Sequence, residues 1–149
     1  MTDTVRVFSS LSAAGIIPRA ALIQKMKAVS AKKNIFLTAP GGYGKTIAAA
    51  QWLSSVRGKT AKMTARDADN DPGVFCKRLA AVLLKLTGQE KTISELPGAG
   101  ISFDGLLEII RLLPEKKPRC YLVLDDLHMI KNEEIINNVP VLISRWSNV

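Results

Sequence analysis

Aromatic residues make up only 5% of the 149-residue chain, which leaves few ring faces on which nucleic-acid bases could stack. Histidine occurs once, at His128, and cysteine only at Cys76 and Cys120. The two thiols lack short-range metal-ligand spacing, and each falls in a predicted regular element, so buried free thiols in a reducing cytosol are expected instead of a zinc cluster. No apolar run approaches the ~20 residues that cross a bilayer. Met1 to Ser10 holds Asp3 and Arg6 and no uninterrupted apolar segment, so no secretory signal is expected and the location is read as cytoplasmic. There is no internal repeat with a period of about 20 to 50 residues and no helix-turn-helix pattern. Acidic residues are also scarce beside basic ones, 13 against 21, for a net charge of +8. That excess favours polyanionic partners without choosing between nucleic acid and a multiply charged nucleotide. The basic residues are scattered, as at Lys25, Lys27, Lys32 and Lys33, which reads as a solvated face.

What the chain does have is the apolar content, 47%, for one hydrophobic core. Pro18 suits the first turn of a helix carrying Leu22, Met26 and Val29 and ending near Ala31. Ile35, Phe36 and Leu37, between a lysine pair and a glycine-rich turn, suit a buried parallel strand over Asn34 to Thr38. Lys45 to Val56 is helix-compatible, with Gly58 as its stop. Thr60 to Thr64 is a weak strand candidate, polar at Lys62. Asp71 and Pro72 read as N-cap and first helical residue of a helix that Gly88 closes, and Ser102 caps another. Pro114 to Pro118 breaks the chain before Cys120 to Leu124, the clearest buried strand. Asn132 caps a last helix, in which Pro140 predicts a kink or a restart. Strands alternating with helices predict an α/β layered domain with a mostly parallel sheet and right-handed crossovers.

Two short segments carry chemistry. Ala39-Pro40-Gly41-Gly42-Tyr43-Gly44-Lys45-Thr46 is a P-loop, with an alanine at the position of the usual first glycine. Gly41, Gly42 and Gly44 let backbone amides approach phosphates at a helix N-terminus, Lys45 reaches the β- and γ-phosphates, and the Thr46 hydroxyl ligates magnesium. Asp125-Asp126 ends the Cys120 to Leu124 strand, where ligand crevices of parallel α/β sheets lie. Asp125 is assigned to magnesium, directly or through water, and Asp126 to orienting or activating the water that attacks the γ-phosphate. These residues point to a nucleoside triphosphate with magnesium. His128, shortly after, could sense phosphate or touch the substrate water, but a lone histidine is more often a packed or capping side chain and is read so; Trp52 is read as core.

The chain resembles the large ATP-binding LuxR-type transcriptional regulators, the MalT-like members of the signal-transduction ATPases called STAND. The resemblance rests on Ile17-Pro18-Arg19 with Leu22, the alanine-started P-loop, Gln51-Trp52-Leu53, Asp69-Asn70-Asp71-Pro72 with Phe75, and Leu122-Val123-Leu124-Asp125-Asp126-Leu127-His128. In that family alanine in place of the first loop glycine is ordinary. The resemblance implies a three-layer P-loop NTPase fold with a parallel sheet, of which residues 1–149 are the N-terminal part, truncated before the sensor strand. It implies a switch module that binds Mg-ATP and hydrolyses it slowly or, in a fragment, not at all. It also implies possible self-association, no membrane partner, and DNA contact only through a domain beyond this chain. Arg19 is carried over as a nucleotide contact, and Tyr43 is counted among the cofactor-binding residues as part of the P-loop. The alternative is a stand-alone P-loop ATPase or kinase. Leu127 stands where the family commonly has an aromatic, Pro140 interrupts a helix usually continuous, and Thr60 to Ala65 lacks the usual tryptophan-containing strand.

Overall fold

A computed structural model describes residues 17–30, 34–98, 100–112 and 120–146. The chain is α/β, as expected, with a parallel sheet and accompanying helices. It divides into two units, Met1–Arg57 and Gly58–Val149.

In the first unit α1 spans Ala20–Ser30 and α2 spans Lys45–Ser55. Arg19 opens α1, its carbonyl accepting the Ile23 amide at 3.0 Å. Pro18 therefore lies just ahead of the helix and not in its first turn. Met26 is buried on α1, and Ala48, Ala49, Ala50, Trp52 and Leu53 on α2, and the two helices pack together. The expected strand over Asn34 to Thr38 is absent: residues 34–40 have no regular structure, and Phe36 is 73% exposed. An apolar triplet becomes a strand only when a neighbour pairs with its amides. Lys32, Lys33, Ala31 and the Pro114 to Pro118 break lie outside the described residues.

In the second unit β1, Lys59–Thr64, pairs in parallel with β2, Cys120–Asp125, placing Lys62 opposite Val123 and Thr64 opposite Asp125. The segment that looked weakest as a strand is thus one of the two in the sheet, because tertiary pairing outweighs local propensity. Met63, Leu122 and Leu124 join one core with Phe75, Leu79, Leu83, Leu106, Ile110 and Ile135. Those last six come from α3 (Pro72–Thr87), α4 (Phe103–Leu112) and α5 (Glu133–Trp146).

The caps stand where their chemistry predicts. Asp71 accepts the Val74 amide at 2.9 Å with Pro72 at the first helical position, and Gly88 ends α3 at φ 82°. Ser102 accepts the Gly105 amide at 3.1 Å, and Asn132 accepts the Glu134 and Ile135 amides at 2.9 and 3.3 Å. Pro140 does not split α5, which runs unbroken through it. Pro140 is exposed, so water can serve the carbonyl that its missing N–H leaves unbonded. Among the described residues no helix is long and apolar enough to cross a membrane.

Candidate functional site

The glycine-rich loop turns into α2 through two left-handed residues, Gly42 at φ 80° and Gly44 at φ 72°. Side chains with a Cβ resist that conformation, which is why glycine stands there. A Cβ built on Gly41 or Gly42 would meet nothing within 4 Å, so that side of the loop is open. Gly44 is the N-cap of α2 and brings no side-chain acceptor to the helix's first amides; its carbonyl accepts the Ala48 amide at 2.9 Å. Lys45 folds back over the loop, its Nζ donating to the carbonyls of Ala39 at 2.6 Å and Pro40 at 3.1 Å. Tyr43 is 64% exposed, and Thr46 is exposed in the first turn of α2.

Arg19 lies against this loop. A Cβ on Gly44 would come within 2.9 Å of the Arg19 guanidinium. Gln51 fixes the approach: its Oε1 accepts the Arg19 amide at 3.2 Å, and its Nε2 donates to the Ile17 carbonyl at 3.3 Å. Open glycine backbone, an uncapped helix N-terminus, an ammonium at the mouth and a guanidinium alongside fit a phosphate chain. Within this unit the hard oxygen donor that suits a magnesium ion travelling with such a chain is the Thr46 hydroxyl.

Asp125 and Asp126 belong to the second unit. Asp125 ends β2 with its side chain 11% exposed and its Oδ2 2.6 Å from Lys62 Nζ, while its Oδ1 accepts the Asp126 amide at 3.0 Å. Asp126 has φ 56°, the one positive φ outside glycine among the described residues. That left-handed step turns the chain into a 3-10 turn, Leu127–Met129, in which the Met129 amide reaches the Asp126 carbonyl at 2.9 Å. His128 Nδ1 is 3.7 Å from Asp126 Oδ1, and both side chains reach solvent. No group of three or more His, Cys, Asp or Glu side chains assembles a metal site among the described residues. The thiols lie apart from this chemistry. Burial, with help from the Glu134 charge, pushes Cys76 up to about 12, and burial raises Cys120 against an opposing effect of Lys59.

The Asp69 to Pro72 segment, beyond its cap, is a joint. Asp69 is fully buried, accepts the Arg66 amide at 2.8 Å, and is ion-paired with Arg78 of α3. Asn70 donates to the Asp67 and Met129 carbonyls, both at 3.0 Å. Its Oδ1 accepts the Lys131 and Asn132 amides at 2.6 and 3.1 Å. The turn after β1 is thereby bonded to the turn after β2, the one that begins at Asp126.

The chain is similar to known proteins over most of its length. The HTH-type transcriptional regulator MalT of Vibrio campbellii is 34% identical over 107 residues, which cover 69% of this chain and 12% of that protein. The regulators of the same name from Cronobacter sakazakii and Vibrio cholerae are 30% and 29% identical over 80% of this chain and 14% of their own length. Over the matched stretch, the chain belongs to the MalT-like regulators. This MalT-like chain spans about an eighth of the length of the curated relatives it matches. No protein-family model matches it, and no solved structure gives a significant match.

Three residues of this MalT-like chain have contacts that sequence reasoning missed: Lys62, Gln51 and Asn70. Lys62 looked like a flaw in a strand. A lysine inside a strand followed two residues later by another polar residue, Thr64, was the available signal, since period-two alternation puts both on one face. Gln51 and Asn70 act through backbone groups distant in sequence, and no local pattern marks such partners.

Proposed function

We propose that this chain is the ATP-binding switch module of a MalT-like regulator, holding Mg-ATP with slow or absent turnover. The observation that carries the reading is Lys45 folded onto the carbonyls of Ala39 and Pro40 above the left-handed Gly42 and Gly44. Those carbonyls hold the ammonium at the mouth of the loop, ready to exchange them for phosphate oxygens. Gly41, Gly42, Tyr43 and Gly44 would line the phosphates with backbone, and Arg19, already beside Gly44, would add a second positive charge. Thr46 and Asp125 would be the chain's oxygen ligands to magnesium, whose charge offsets that of the phosphates when bound. Asp126 would hold the attacking water wherever turnover occurs. A cytoplasmic location, self-association and transcriptional control follow as proposals from the same reading, DNA contact being made outside these residues.

The test is calorimetric titration of the wild type and of Lys45→Ala with ATP and ADP in the presence of magnesium. The expected result is saturable binding by the wild type and a loss of at least about tenfold in the variant, the weight of one charge-assisted contact or more. Equal binding by the two folded proteins would overturn the assignment.

A further inference from the structure

Lys62 and Asp125 are diagonal neighbours on one face of the β1 and β2 pair, since Lys62 is in register with Val123 and Thr64 with Asp125. Their ionic contact is 2.6 Å, between side chains only 16% and 11% exposed. A pair this close and this little solvated is a charge-assisted bond and not a screened surface contact. The second carboxylate oxygen is engaged by the Asp126 amide at 3.0 Å. Asp125 Oδ2 therefore carries an ammonium where a hard divalent ion would otherwise bind.

We propose that Lys62 is a tethered competitor for magnesium at Asp125. Its ammonium neutralises the carboxylate in the metal-free protein, and Asp125 becomes a metal ligand only when Lys62 is released. The inference rests on the nucleotide reading above and adds a control to it. The loop and Lys45 supply metal-independent affinity for the phosphates, while Lys62 raises the magnesium concentration at which the metal-bound form is reached. A residue that served only as a strut between strands would change stability and would leave that concentration where it is.

The experiment measures binding of a fluorescent ATP analogue in EDTA and across a magnesium series. It compares the wild type, Lys62→Met, Lys62→Arg and Asp125→Asn, each checked for native far-UV circular dichroism. Lys62→Met is expected to reach half its magnesium effect at a concentration at least about fivefold lower than the wild type, the low end of measured coupling between sites. Its affinity in EDTA stays that of the wild type, Lys62→Arg keeps the wild-type midpoint, and Asp125→Asn loses the magnesium dependence. Should Lys62→Met not fold, Lys62→Gln, which keeps a donor without the charge, carries the same comparison. An unchanged magnesium midpoint in a folded, nucleotide-binding Lys62 variant overturns the competition alone. Failure of every folded form to bind nucleotide at any magnesium level overturns the nucleotide reading and the competition with it.

Discussion

Gly41 and Gly44 lie three positions apart in the same loop and should answer differently to a methyl group. Gly44 has φ 72°, and an added Cβ would press on Arg19 at 2.9 Å, whereas Gly41 has open space around that position. Gly44→Ala is expected to cost ~1 to 3 kcal/mol of stability from its backbone conformation, read by urea unfolding. Gly41→Ala should leave the urea midpoint unchanged and still weaken ATP binding, because its methyl would occupy the side of the loop assigned to phosphate. If Gly41→Ala binds as the wild type does, the phosphates lie elsewhere. Asp126 is the opposite case, a side chain held at φ 56° where glycine would be easier. Asp126→Gly is expected to be neutral or to stabilise by up to ~1 kcal/mol, the relief of a left-handed backbone being partly offset by added freedom in the unfolded chain. A clear loss of stability would show that its carboxylate, near His128, matters more to folding than the strain. Cys76 makes a pH prediction. Its folded pKa, about 12 against an ordinary 9.0, means that the folded state keeps a proton the unfolded state has given up. Its contribution is whole below pH 9.0 and is lost as pH rises from there to about 12. Cys76→Ala should flatten that part of a stability–pH curve measured by denaturant unfolding.

At the scale of elements, the glycine-rich loop depends on α1 through Gln51, and the Asp125–Asp126 turn depends on α3 through the joint at Asp69 and Asn70. Arg78 of α3 is ion-paired with Asp69 and also donates to the Thr64 carbonyl at the end of β1, at 3.3 Å. Asn70 then bonds that assembly to the turn after β2. Asn70→Ala would leave the Lys131 and Asn132 amides without their acceptor, at a cost of about 1 kcal/mol because water reaches both bonds. Urea unfolding gives the magnitude, and hydrogen exchange gives the location: the Lys131 and Asn132 amides should exchange faster while the interior of α3 is unchanged. Exchange that rises uniformly through the second unit would argue against a local joint. The helix boundaries here were legible in the sequence because a cap is a contact between residues two or three apart, as at Asp71, Ser102 and Asn132. The joint was not, since Asn70 reaches partners about sixty residues away.

For the whole molecule, the largest fully buried apolar side chains among the described residues, Phe75, Leu83, Leu84, Leu106, Ile110 and Ile135, all belong to the second unit. Residues 58–149 by themselves are therefore expected to unfold cooperatively in urea, with coincident fluorescence and circular-dichroism transitions. Non-coincident or gradual unfolding would mean that this core depends on the first unit. The sequence alone determined the glycine-rich turn into a helix, the acidic pair at a strand end, the α/β class and the helix caps, because each is written in residue type and short spacing. Tertiary structure decided which segment became a strand: Thr60 to Thr64 found a parallel partner in Cys120 to Leu124, and Ile35 to Leu37 has no regular structure. It also decided what Asp125 faces. A strand sequence gives the alternation of its side chains but not the register of its neighbour, and register is what set Lys62 against the carboxylate expected to hold magnesium.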